Sequence, residues 1–181
     1  MLLVETPERE LFNEETNEFI TVKKESFLIE HSLLSLSKWE SKWCKPFLTK
    51  KNEKTTEETI DYIRCMTVTP NVAPTVYDHL SDANYAEIEA YIAAPMTATW
   101  FSDKQKNPPN PETITSELIY YWMVSLNIPF QCEKWHLTRL LTLIRVCNLK
   151  NQPPKKQNKK EMLSSRAALN AARRSQFNTK G

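Results

Sequence analysis

One absence constrains this chain more than any residue it contains: glycine occurs once in 181 residues, as the last of them, Gly181. Glycine averages about 7% of protein composition and enters positive φ without steric cost. Every tight turn and helix end before Gly181 must be built from residues that carry a Cβ, with asparagine the best substitute. The same absence excludes whole classes of chemistry. Phosphate-cradling loops, the dinucleotide-binding turn and the nucleophile elbow of hydrolases all need internal glycines.

In other respects the composition is ordinary, with 40% hydrophobic and 25% charged residues, which argues for one ordered core rather than disorder. The longest apolar-rich run, Leu137 to Val146, is broken by Thr138, Arg139, Thr142 and Arg145. It falls short of the ~20 residues needed to span a bilayer, so no membrane association is expected. The opening MLLVETPERE lacks the basic start and small-residue cleavage site of a secretion signal, and a cytoplasmic location follows as the expectation. Cys44, Cys65, Cys132 and Cys147 form no C-x-x-C pair and read as reduced, buried small hydrophobes.

Charge is uneven. Residues 150–181 hold nine basic residues against one acid, Glu161, a balance of +8, whereas residues 1–149 hold 15 basic and 21 acidic residues, a balance of −6. An acidic body therefore carries a basic tail, with the division at 149/150.

The patterning predicts an α+β fold: an N-terminal β-hairpin or small antiparallel sheet, then a helical domain of four to five helices, then a basic C-terminal helical tail. Residues 1–48 read as mostly strand, because apolar and β-branched residues alternate at Phe19 and Thr21 and at Phe27, Ile29, His31 and Leu33. Residues 55–149 read as mostly helix. Thr55 and Glu58 have the spacing of a capping box, opening a helix over about 57–66. A second helix is expected from Ser81 or Asp82 to Ala93, stopped by Pro95, followed by an exposed proline-rich loop to Pro111. Helices over about 114–126 and 132–149 should form the core pair, and a last one should run over about 160–177 beyond the linker NQPPKKQNKK.

No catalytic constellation emerges. His31, His79 and His136 lie in unlike contexts, and the spaced carboxylates Glu57, Glu58, Asp61, Glu87 and Glu89 read as solvated helix faces. Cys132 and His136, four apart, would suit half a zinc site on one helix face, but no second ligand pair accompanies them. The reading is a non-enzyme without metal or cofactor.

The candidate partner-binding residues are of two kinds. Trp39 and Trp43, four apart, share a face in either a helix or a strand, and with Trp122 and Trp135 they are either core or an exposed aromatic patch. In the tail, Leu163, Arg166, Leu169, Arg173 and Arg174 lie on a helix that reads as a protein-docking element. The tail's cations would also neutralise phosphates, but Phe177 is its single aromatic, so it offers no stacking platform and nucleic acid is disfavoured.

The stretches TTEETIDYIRCMTVTPNV, YIAAPMTATWF, ELIYYWMVSLNIPFQCEKWHLTRLLTLIRVCNLKN and SRAALNAARRSQFNTKG together resemble a family of small tailed-bacteriophage morphogenesis proteins, the tail assembly chaperones. The resemblance runs from about residue 26 onward and rests on overall wording, without a motif from which individual residues carry over. It implies a non-enzymatic protein of the host cell cytoplasm that binds the tape-measure protein and keeps it soluble while the tube polymerises; the tail tube protein as a further partner and self-association into a homo-oligomer would be compatible. The alternatives are a virion component, such as a head-tail connector or tail completion protein, and a small DNA-binding protein that uses the basic tail.

Overall fold

The computed structural model describes residues 1–13, 18–49, 54–101, 113–151 and 159–177. They form the expected α+β architecture and divide into two units, residues 1–147 and residues 148–181.

The chain begins as a hairpin. Strand β1 (Leu2–Glu5) pairs with β4 (Ser26–Ile29), and β2 (Arg9–Asn13) pairs with β3 (Glu18–Val22), both antiparallel. Partner numbers add to 31 in both ladders, from Leu2 with Ile29 to Asn13 with Glu18, so the two ladders are one long hairpin in a single register. Thr6 bridges the interruption: its N–H donates to the Glu25 carbonyl at 2.8 Å and its hydroxyl accepts from the Glu25 N–H at 3.0 Å. Alternation decides the faces. Val4, Phe27 and Ile29 are buried, while Leu3 and Leu28 on the other face are exposed. Beyond β4, Glu30 N–H donates to the Met66 carbonyl and Val68 N–H to the Leu28 carbonyl, which docks the segment after the second helix against the sheet.

The expectation of strand to residue 48 is corrected by helix α1 (Leu33–Trp43). The alternation through Phe27, Ile29, His31 and Leu33 stops at Ser32, whose hydroxyl accepts the Ser35 N–H while Ser35 Oγ accepts the Ser32 N–H. This is a capping box built from two serines, and it turns the chain into a helix that buries Leu33, Leu36, Trp39 and Glu40. The helix ends at Cys44, at φ 53°, whose N–H returns to the Glu40 carbonyl.

Helix α2 (Thr56–Met66) starts where the Thr55–Glu58 spacing places it, with Glu58 N–H donating to Thr55 Oγ1 and Thr55 N–H to Glu58 Oε2. Thr55→Ala removes the hydroxyl acceptor and is expected to lower the unfolding free energy by about 1 kcal/mol. Urea denaturation reads this directly; an unchanged midpoint would show that the cap is dispensable. A 3-10 turn (Pro74–His79) then precedes α3 (Asp82–Ala93), which Ser81 and Asn84 cap in the same reciprocal way. The 3-10 turn was not anticipated from the sequence; a proline at the first position suits its opening.

Helix α4 (Ser116–Ser125) and a second 3-10 turn (Phe130–Lys134) lead to α5 (Leu137–Asn151). The long helix thus starts five residues later than the expected 132. His136 pairs with Ser32 in an isolated antiparallel bridge, and this holds Trp135 extended. Helix α6 (Lys159–Phe177) forms the tail as expected. Of the exposed loop predicted from Pro95 to Pro111, residues 102–111 lie outside the described residues.

The scarcity of glycine shows, among the described residues, at four with positive φ: Asn71 and Asn127, as expected, and also Cys44 and Met96. The last two lack the side-chain amide that eases this conformation, and each carries a cost of about 1–2 kcal/mol that surrounding structure must offset.

Two hydrophobic cores form in the first unit. The hairpin, α2, the 3-10 turn and α3 enclose Phe27, Ile29, Trp39, Tyr62, Ile63 and Met66, while α1, α4 and α5 enclose Leu33, Leu36, Ile119, Met123, Leu137 and Leu140. Helix α1 serves both. Below it the buried carboxylate of Glu40 accepts the Phe47 N–H at 2.8 Å and the Ser116 N–H at 2.7 Å, joining the chain after α1 to the start of α4. No helix among the described residues is long and apolar enough to cross a membrane.

Candidate partner-docking site

Helix α6 has a large face and a small one. Advancing about 100° per residue, Leu169, Arg173, Arg166, Phe177, Leu163 and Arg174 fall in that angular order within an arc of about 140°. The opposite side carries Ser164, Ser165, Ala168, Ala171, Ala172 and Ser175. Every described side chain of the helix from residue 163 to 177 is exposed, and its large apolar ones, Leu163, Leu169 and Phe177, are 56–69% exposed. The five tail residues chosen from sequence therefore share one face, and Phe177 joins them. The basic side chains beside the apolar ones suit a surface that is apolar at its centre and acidic around it.

The tryptophans separate. Trp39 is 1% exposed and belongs to the first core, where its indole N–H donates to the Glu58 carbonyl at 2.9 Å. It is not a docking residue: the turn of helix that carries it faces α2. Trp43, one turn on, is half-buried; it stacks on Trp39 with centroids 6.2 Å apart and donates to Asp61 Oδ2. Trp122 and Trp135 are likewise half-buried against the second core, with the Arg139 guanidinium 4.2 Å above the Trp135 ring. Of the two readings open to these four, core or exposed patch, the structure gives mainly core.

The outward aromatics are others. Trp100 is 87% exposed, and Tyr121, Val124 and Phe130 also face out. Neighbouring Phe101 lies under the Arg145 guanidinium at 4.0 Å. Trp100 carried no helical or alternating signal, since it stands in an irregular segment. Tyr121 lies on the outer side of α4, whose inner face is filled by Ile119 and Met123.

Two residues from unlike contexts do meet. His31, at the end of β4, and His136, before α5, are buried with ring centroids 5.2 Å apart. His31 Nδ1 lies 2.6 Å from Tyr62 Oη, and His136 Nε2 donates to the Tyr91 carbonyl at 3.1 Å. Donation from Nε2 makes Nδ1 of the neutral ring a lone-pair acceptor, and that atom has no hydrogen-bond partner. Burial lowers the affinity of both imidazoles for a proton, His31 to a pKa of about 4 with the charge of His136 as the second cause. The spacing that suggested half a zinc site does not form a helix face: Cys132 lies in the 3-10 turn and packs in the second core, whereas His136 faces Tyr91. Among the described residues no three histidine, cysteine, aspartate or glutamate side chains group as metal ligands.

No family model, curated protein or solved structure matches the chain.

Proposed function

We propose that the chain is a non-enzymatic tail assembly chaperone of a tailed bacteriophage, acting in the host cytoplasm by docking α6 on the tape-measure protein. The observation that carries the reading is the large face of α6. A helix gains most of its stability in a protein by burying such a face, and here Leu163, Leu169 and Phe177 are exposed. A long amphipathic helical client with acidic flanks would cover them and would itself be shielded from aggregation. The resemblance of the sequence to this family supports the identity of the client, and the +8 balance of residues 150–181 supports its acidic character. The test is co-expression with the tape-measure protein of the same genome, capturing the full chain and a truncation ending at Asn151. Capture by the full chain and loss with the truncation is the expected result. Capture by neither would move the function to a virion component, and a truncation that binds as well would move the site to the body.

A further inference from the structure

The two buried imidazoles stand where the molecule's two cores join. His31 precedes Ser32, the N-cap of α1, and His136 precedes α5, with its carbonyl accepting the Leu140 N–H as the first helical bond. Leu137 N–H donates to the His31 carbonyl at 2.8 Å, so the start of α5 is bonded to the chain entering α1. Tyr62 of α2 and Tyr91 of α3, both in the first core, touch the imidazoles from one side, and Leu33 and Leu137 lead into the second.

We propose that the His31–His136 pair is an acid-operated latch: proton uptake by either ring frees the start of α5 from the β4–α1 segment and parts the two cores locally.

Four features make the added proton unwelcome there. A proton on His136 goes to Nδ1, which has no acceptor, and so creates a buried N–H without a partner. The rings lie side by side, so the first charge opposes the second. Both precede helix N-termini, where the positive end of the helix dipole disfavours a cation. The cover is apolar on both sides. The groups facing the pair are few. Tyr62 and Tyr91 keep their hydroxyls protonated far above neutral pH through burial. Glu30, at the end of the sheet, favours a proton on His136, but its carboxylate is already engaged by the Tyr91 hydroxyl at 2.7 Å and the Met1 ammonium at 2.9 Å, and that ammonium opposes the proton.

The sign follows from these depressed affinities. The unfolded or opened chain binds a proton near the ordinary histidine value of about 6.5, the latched chain only near 4 at His31. The latch is therefore fully closed above pH about 6.5 and weakens progressively as pH falls toward 4.

The test is residue-resolved hydrogen exchange on the full chain between pH 7.5 and 4.5, corrected for intrinsic rates. Protection of the Leu137 amide is expected to fall at least tenfold more than that of the Ile63 amide, inside α2. His31→Gln with His136→Gln should remove that difference. Should this pair not fold, titration of the two imidazole proton signals in the unmodified chain decides instead: His31 should stay neutral to below pH 5, and His136 should take up its proton below the ordinary histidine range. Ordinary titration near 6.5 with Leu137 protection unchanged would overturn the latch, as would an equal loss of protection at Leu137 and Ile63.

Discussion

Replacing Trp39 by alanine is expected to cost the fold about 3–5 kcal/mol. The side chain is 1% exposed between α1 and α2, stacks on Trp43, and meets Phe47 edge-on with centroids 5.0 Å apart. Its loss opens a cavity in the first core and leaves the buried Glu58 carbonyl without the indole N–H. Domains have about 5–15 kcal/mol of stability in total, so the variant should unfold at much lower urea or populate the unfolded state outright. Trp43→Ala, at a half-buried position, should cost less than half as much. Equal and small effects, below about 1 kcal/mol each, would return Trp39 to the surface and revive it as a docking residue.

The second large effect concerns binding. Changing Leu163, Leu169 and Phe177 to alanine together should weaken client affinity about 100-fold or more, because exposed apolar anchors at the centre of an interface carry most of its energy. Ala168→Ser with Ala172→Ser, on the small face of α6, should change it less than about threefold. The double change Arg173→Ala and Arg174→Ala should act differently again, slowing association and flattening its salt dependence. Calorimetry and stopped-flow binding separate the three. If the arginine pair alone abolished binding and duplex DNA were bound with a steep salt dependence, the electrostatic reading of the tail would replace the docking one.

Which parts of this were legible in the sequence depended on whether the signal was local. Helix α2 announces itself by capping residues three apart, α3 by the proline that stops it, and α6 by following the linker, so their limits fall within a residue or two of expectation. Helix α1 was hidden because its cap pairs two serines, and because Leu33 continues the alternation of Phe27 and Ile29 by coincidence. The late start of α5 could not be read locally, since it is set by the bridge from His136 to Ser32 across most of the chain. The same distance hid the histidine pair. For the docking site, the sequence put Leu163, Arg166, Leu169, Arg173 and Arg174 on one helix without showing that they share a face, whereas Trp39 and Trp43 look alike in any periodic pattern and differ only in what α2 covers.

The central claim is that the large face of α6 keeps a client soluble, and the most direct measurement is the fraction of tape-measure protein left in the supernatant when the two are co-expressed. The account predicts soluble client with the intact chain and pelleted client with the Leu163→Ala, Leu169→Ala, Phe177→Ala variant, at equal levels of folded chain. Client that stays equally soluble with both, or pellets equally with both, would contradict it.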